Sequence, residues 1–300
     1  MKAAIGRVLR YGIRKARQVV ERFDPVSYSG NFSNQDFIYA SINDTLAKFM
    51  SQDPRVLRPS YTWGVLQGAH LAKTLGIKRV SVIEFGVAAG NGLVALERAS
   101  EKIEAFLGVE IDVHGFDTGR GLPKPTDYRD LPNQYSESKY VMDVAALRNR
   151  LRNAQLHIGL VGTTVPDFLA SRPAPIAFLS FDLDFYCSTV EAFNVLDADE
   201  NLLLPRVHCY FDDIMGFTCS EFTGERLAIN EFNSKHPRRK ISPIYGLKYF
   251  LSPAYAVEQW SEMFYLAHFF DHPLYGKTDG LTRITEHSLV PTGVHGATKS

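Results

Sequence analysis

The stretch Arg79-Val-Ser-Val-Ile-Glu84-Phe-Gly86-Val-Ala-Ala-Gly90-Asn-Gly92 decides how this chain folds. Its first seven residues, 79–85, read as a largely apolar strand, and the glycines after them read as a tight turn opening a helix over 91–105. Strand, glycine turn and helix make the first unit of an α/β sheet, and the chain downstream repeats the unit. Strand patterns at 113–117, 155–161, 176–183 and 206–212 alternate with helical patterns at 141–152, 164–171 and 187–198. That alternation predicts a Rossmann-like, doubly wound, mostly parallel sheet with helices on both faces. Thr223 to Ser234 reads as a further helix, and Ile241 to Leu251 as two strands meeting near Gly246, an antiparallel closure of the sheet.

Working outward, the sequence divides into a helical extension over 1–76, the sheet domain over 77–252 and a C-terminal extension packed on it over 253–300. The first segment holds a basic stretch, a loop at 24–34 and helical patterns near 35–50 and 61–76. Residues 1–23 carry Lys2, Arg7, Arg10, Arg14, Lys15, Arg17 and Arg22 against Glu21, while Ile5, Val8, Leu9, Ala16, Val19, Val20 and Phe23 gather on one helical face. Such a helix packs on its own domain, lies on an anionic membrane surface or covers a groove of a partner subunit. The aromatic run from Trp260 to Phe270 has helical spacing and reads as core or subunit interface. Thr118 to Tyr140 is polar, holds three prolines and is long for a strand-to-helix connection, so it reads as a functional loop.

Composition limits the classes of function. The 33 Lys and Arg residues balance the 33 Asp and Glu residues, so no global field draws the chain to nucleic acid. With 45% hydrophobic residues the chain can bury one large core. Cys187, Cys209 and Cys219 form no CxxC pair and suit a reducing compartment. No apolar run approaches the roughly 18 residues of a membrane span, and no signal-peptide core is visible, so a soluble cytoplasmic protein is expected.

The glycine turn carries chemistry as well as geometry. Gly86, Gly90 and Gly92 have GxxxGxG spacing, begin two residues after an acid, Glu84, and include no lysine. A phosphate cradle would bring GxGxxG or a lysine. A cationic ligand without phosphate, S-adenosylmethionine, suits a carboxylate and a glycine turn better. Asp117, at the end of the second strand, stands where an acid takes ribose hydroxyls.

The fourth strand ends in Phe181-Asp-Leu-Asp-Phe185 and the fifth in Tyr210-Phe-Asp-Asp213. Alternation along an extended segment puts Ser180, Asp182 and Asp184 on one side. Neighbouring strands lie about 5 Å apart, so the acids at their ends can share an ion. Oxygen ligands without a histidine–cysteine set favour a hard cation such as Mg2+ over zinc. Asp212 and Asp213 both reach that ion only if the chain turns there. His114, His157 and His208 sit inside strand patterns and read as core or cap histidines.

These pieces resemble the macrocin-type sugar O-methyltransferases, of the class I S-adenosylmethionine-dependent methyltransferases. The resemblance rests on EFGVAAGNG at 84–92, GFDTGRGLP at 115–123, DLDFYCST at 182–189, FDD at 211–213 and GERLAINEF at 224–232. It departs from the family at Cys187, often Glu there, and in Thr118-Gly-Arg120, where an aromatic–acid pair is common. The resemblance implies Asp182, Asp212 and Asp213 as Mg2+ ligands, Asp184 as general base, a glycan or small-molecule hydroxyl as acceptor, and a homo-oligomer. Two rival readings use the same residues. Tyr135 and Lys139 form a YxxxK pair, as in short-chain NAD(P)-dependent oxidoreductases, although they precede the third strand. A non-catalytic module would hold a structural ion on the acids.

Overall fold

The computed structural model describes residues 58–216, 218–249, 251 and 259–277. The segments expected at 1–23, 24–34 and 35–50 lie outside the described residues. Seven strands, β1 (Arg79–Phe85), β2 (Glu110–Asp117), β3 (Gln155–Ile158), β4 (Ile176–Phe181), β5 (Leu203–Phe211), β6 (Arg239–Pro243) and β7 (Phe264–Phe269), form one sheet. Its order is β3-β2-β1-β4-β5-β7-β6, with β1 to β5 parallel and β7 antiparallel to both its neighbours. The fold is the expected Rossmann-like, mostly parallel sheet. β4, Ile-Ala-Phe-Leu-Ser-Phe, is buried throughout, as a strand covered on both faces must be.

Among the described residues six helices cover the sheet: α1 (Pro59–Thr74), α2 (Asn91–Leu107), α3 (Val144–Arg150), α4 (Val161–Ala170), α5 (Tyr186–Ala192) and α6 (Gly224–Lys235). The register aligns Phe85, Phe181 and Phe211, whose rings stack at 5.3 and 4.7 Å on the face covered by α5 and α6. Phe193 packs edge-on against both Phe181 and Phe232 there. The adjacent register rung, Glu84, Ser180 and Tyr210, faces α1 instead. α1 lies very close: a side chain at Gly68 would come within 2.6 Å of the Ala177 carbonyl oxygen. The helical layer expected over 1–76 is therefore, from Pro59 on, part of the sheet domain's own core.

The C-terminal closure differs from the expectation. Ile241 to Leu251 supplies one strand, β6, followed by a 3-10 turn at Leu247–Tyr249, and not two strands meeting near Gly246. The second strand is β7, inside the aromatic run that reads as a helix from its spacing. A 3-10 turn at Gln259–Glu262 ends before Phe264 and resets the period, and β7 then pairs with β5 through Val207 and Ala267. The ladder groups of β5 need partners, and that tertiary demand overrides a spacing compatible with either element. The boundary expected at 252 therefore does not end the sheet, because β7 lies between β5 and β6. Among the described residues no helix is long and apolar enough to cross a membrane.

Candidate active site

The carboxyl ends of β1, β2, β4 and β5 open into one cavity of about 550 Å³. This is where open α/β sheets bind ligands. Gly86, Asp117, Asp182, Asp184, Asp212 and Asp213 all line it. Glu84, Gly90 and Gly92 stand behind that wall.

The glycine turn has the shape its residues allow. Gly86 has φ +83°, and a Cβ there would lie 1.7 Å from the Asp182 carbonyl oxygen, so β1 and β4 approach at a point that admits no side chain. Gly90, at φ +80°, is the N-cap of α2. A Cβ at Gly92 would fall 1.8 Å from Glu84 Oε1. Glu84 is fully buried; its Oε1 accepts a 2.7 Å hydrogen bond from the Tyr61 hydroxyl, and its Oε2 has no partner. Burial pushes its carboxyl up to about 7, against the pull of Tyr61 and Arg58. Tyr61 also receives hydrogen bonds from Ser180 Oγ at 2.9 Å and Arg58 Nη1 at 3.3 Å. Asp117 Oδ2 accepts the N–H groups of Val87 and Ala88, each at 2.9 Å, and Oδ1 accepts that of Gly119 at 2.7 Å. A carboxylate has about four lone-pair positions, so one remains on Asp117 for a ligand hydroxyl.

Beside the glycine turn, the acids that end β4 and β5 come together. Register places Phe181 beside Phe211, so the next residues, Asp182 and Asp212, are neighbours. The chain then turns: Asp212–Ile214 is a 3-10 turn in which Asp213 has φ −101° and ψ 22°. One oxygen from each of Asp182, Asp212 and Asp213 lies within 4.8 Å of the others. Burial and then Asp212 push the Asp182 carboxyl well above its usual range, and burial pushes Asp213 up to about 6. Like charges held together in this way are relieved by a cation. Neutral donors reach the cluster as well, Tyr210 on Asp212 Oδ1 at 2.9 Å and the Asp184 N–H on Asp213 Oδ2 at 2.8 Å.

Asp184 reaches the cavity by a different route from the expected one. β4 ends at Phe181, and Asp184 is the centre of a three-residue turn closed by the Phe185 N–H on the Leu183 carbonyl at 2.6 Å. Its φ of +59° is left-handed, a conformation that costs a non-glycine residue about 1–2 kcal/mol. Burial first, and Asp213 second, push its carboxyl up to about 7.

The loop from Thr118 to Tyr140 lines the cavity through Gln134, Tyr135 and Tyr140. Asp130, fully buried, anchors it by accepting the Cys187 N–H at 2.9 Å and the Thr126 N–H at 2.8 Å. The Tyr135 hydroxyl donates to Asp213 Oδ1 at 3.1 Å. Lys139 Nζ donates to the Gln134 carbonyl, so the residues of the YxxxK pair have separate partners.

Several residues that organise this site carry no signal of their own in the sequence. Tyr61 and Tyr210 look like core aromatics, and Glu225 is visible only within the quoted motif at 224–232. Glu225 is fully buried; its Oε2 accepts the Asp213 N–H at 3.1 Å and helps hold the turn that presents Asp213. Of the histidines expected as core or cap residues, His114 is buried and His157 and His208 are half-buried: burial holds His208 down to about 3 and His114 to about 4, and His157 stacks on Phe116 at 4.4 Å. Trp260 packs on Trp63 and Phe264 in the core. The three cysteines are free thiols.

No family model and no curated protein matches the chain. Among solved structures, it is similar to CalS11, a calicheamicin methyltransferase, at 23% identity over 65% of this chain and 84% of that one, with a TM-score of 0.45. The O-methyltransferase NovP gives 14% identity over 78% and 98%, with a TM-score of 0.46. An O-methyltransferase from Bacillus cereus gives 13% over 83% and 96%, with a TM-score of 0.32. Likenesses this remote say nothing of what the chain binds.

Proposed function

We propose that the chain is a methyltransferase that draws its methyl group from S-adenosylmethionine. More narrowly, we read it as a macrocin-type, Mg2+-dependent O-methyltransferase acting on a hydroxyl of a sugar or a glycosylated small molecule. One observation carries this reading: a single cavity is lined by Gly86 of the glycine turn, by Asp117 and by Asp182, Asp184, Asp212 and Asp213.

The residues fit both groups. Gly86 lines the cavity, Asp117 keeps one acceptor position, and the unpartnered Oε2 of Glu84 lies behind the turn. Asp182, Asp212 and Asp213 would hold the cation with three hard oxygens already gathered. A divalent cation supplies Lewis acidity, which lowers the pKa of a hydroxyl otherwise far too weakly acidic to attack at neutral pH. Asp184 accepts the hydroxyl proton, with a carboxyl raised towards neutrality, where a general base works well. S-adenosylmethionine would supply the methyl carbon for transfer to the acceptor oxygen, the electron pair of the broken carbon–sulfur bond remaining on sulfur. Tyr135, Tyr140 and Gln134 line the remaining space and keep the acceptor oriented. Assembly as a homo-oligomer in the cytoplasm belongs to the same reading.

Calorimetric titration with S-adenosylmethionine and with NADH, followed by a labelled-methyl screen of glycoside acceptors with and without chelator, tests it. Binding of the sulfonium donor alone, and chelator-sensitive labelling of a glycoside, are expected. Binding of NADH alone would favour the oxidoreductase, and binding of neither the ion-holding module.

A further inference from the structure

We infer that Tyr135 is a positioning residue of this site, acting through its phenol hydroxyl to hold Asp213 in place and to seat the Thr118–Tyr140 loop over the acids. The inference rests on the cation reading above. The loop has its own anchors. Leu122 exchanges backbone hydrogen bonds with the far end of the loop, to the Lys139 carbonyl at 2.8 Å and from the Ser138 N–H at 2.9 Å. Leu131, Tyr135 and Phe185 form a small apolar core separate from the main one, with the Tyr135 and Phe185 rings edge-on at 6.2 Å. That packing needs the ring and makes no use of the hydroxyl.

The hydroxyl points instead to Asp213, a carboxylate that links the loop to the turn after β4. Asp213 Oδ1 takes the Tyr135 hydroxyl, and Oδ2 takes the backbone N–H of Asp184. Its plane is thereby fixed from two sides, by the loop and by the strained turn that presents Asp184. Each oxygen keeps a lone pair for a cation, since each accepts one hydrogen bond. Partners of ligand carboxylates set ligand orientation, and losing one typically weakens metal binding by about 10–100-fold. Because the same hydroxyl seats the loop, cation binding and loop seating favour each other reciprocally. The tyrosine of the YxxxK pair thus has a place in the site without redox chemistry.

The test compares wild type with Tyr135→Phe, which retains the ring and its packing. Tyr128→Phe, in an exposed tyrosine of the same loop, serves as control. Mn2+ affinity is measured by electron paramagnetic resonance titration, S-adenosylmethionine affinity by calorimetry and melting temperature in the absence of metal. Tyr135→Phe is expected to weaken Mn2+ by about tenfold or more with donor affinity and metal-free melting temperature held, while Tyr128→Phe changes nothing. Equal Mn2+ affinity in wild type and Tyr135→Phe, or a fall in melting temperature alone, would overturn the assignment and leave the cation site standing. A wild type that binds no Mn2+ would overturn both.

Discussion

Two groups of acids at one cavity use their carboxylates in opposite ways. On the glycine-turn side, Asp117 is nearly saturated by three backbone N–H groups and Glu84 is tied to the Tyr61 hydroxyl. Asp117 shapes the turn and keeps one position open, while Glu84 stands behind it with Oε2 unpartnered. On the β4–β5 side, Asp182, Asp212 and Asp213 point at one another, and the donors that reach them are two phenols and one amide. A saturated acid is rigid and specific for a neutral or singly charged partner. Crowded acids hold unrelieved repulsion, which a divalent ion can use. The difference teaches that residue type alone does not assign a role to an aspartate at a strand end; the number of donors already on its oxygens does.

The comparison breaks most visibly at Asp184. Asp184→Asn keeps donor binding, because it alters neither Asp117 nor the glycine turn, and lowers the turnover number by about 10²–10⁴-fold, as loss of a general base does. Unchanged turnover in a labelled-methyl assay would remove the base role. Asp182→Asn acts on the crowded side alone: cation affinity falls at least about 10–100-fold in an Mn2+ titration while donor affinity holds. Asp117→Asn acts on the saturated side. An amide presents one acceptor oxygen in place of two, so at least one of the N–H groups of Val87, Ala88 and Gly119 loses its partner, at about 1–3 kcal/mol. Donor affinity and melting temperature should both fall, with Mn2+ affinity near that of wild type.

The smallest effect sharpens the contrast through pH. Glu84 and Asp184 are raised to about 7 and Asp213 to about 6, so the folded chain binds protons more tightly than the unfolded one at these groups. Their contribution favours the fold fully below the ordinary carboxylate range and is lost as pH rises through about 6 to 7. The melting temperature of metal-free protein should therefore rise by a few degrees as pH is lowered from about 8 to about 5.5. Saturating Mg2+ should flatten that slope, because the ion replaces the proton in relieving the acids. A metal-free melting curve that falls on acidification over this range would contradict the arrangement.

Much of this molecule was legible in its residues because the signals are local. Strand, glycine turn and helix follow within one stretch, and the acids mark the ends of β2, β4 and β5 by their place in an apolar pattern. The turn that lets Asp212 and Asp213 act together was foreseeable from the need for it. Other features depend on partners far along the chain. The left-handed turn at Asp184 is held to Asp213, 29 residues away. The Tyr61 hydroxyl meets Glu84 across 23 residues, and that of Tyr135 meets Asp213 across 78. The aromatic run after Trp260 fits a helix and a strand equally well until β5 offers an unpaired edge.

The sequence by itself determined the parallel α/β frame, the glycine turn and the acids that gather at its rim, since each follows from the period and chemistry of adjacent residues. Only the tertiary structure decided which oxygens are already occupied, which tyrosine holds which acid, and that β7 completes the sheet. Hydrogen bonds between distant residues exist only once packing has brought them together, and no local pattern records them.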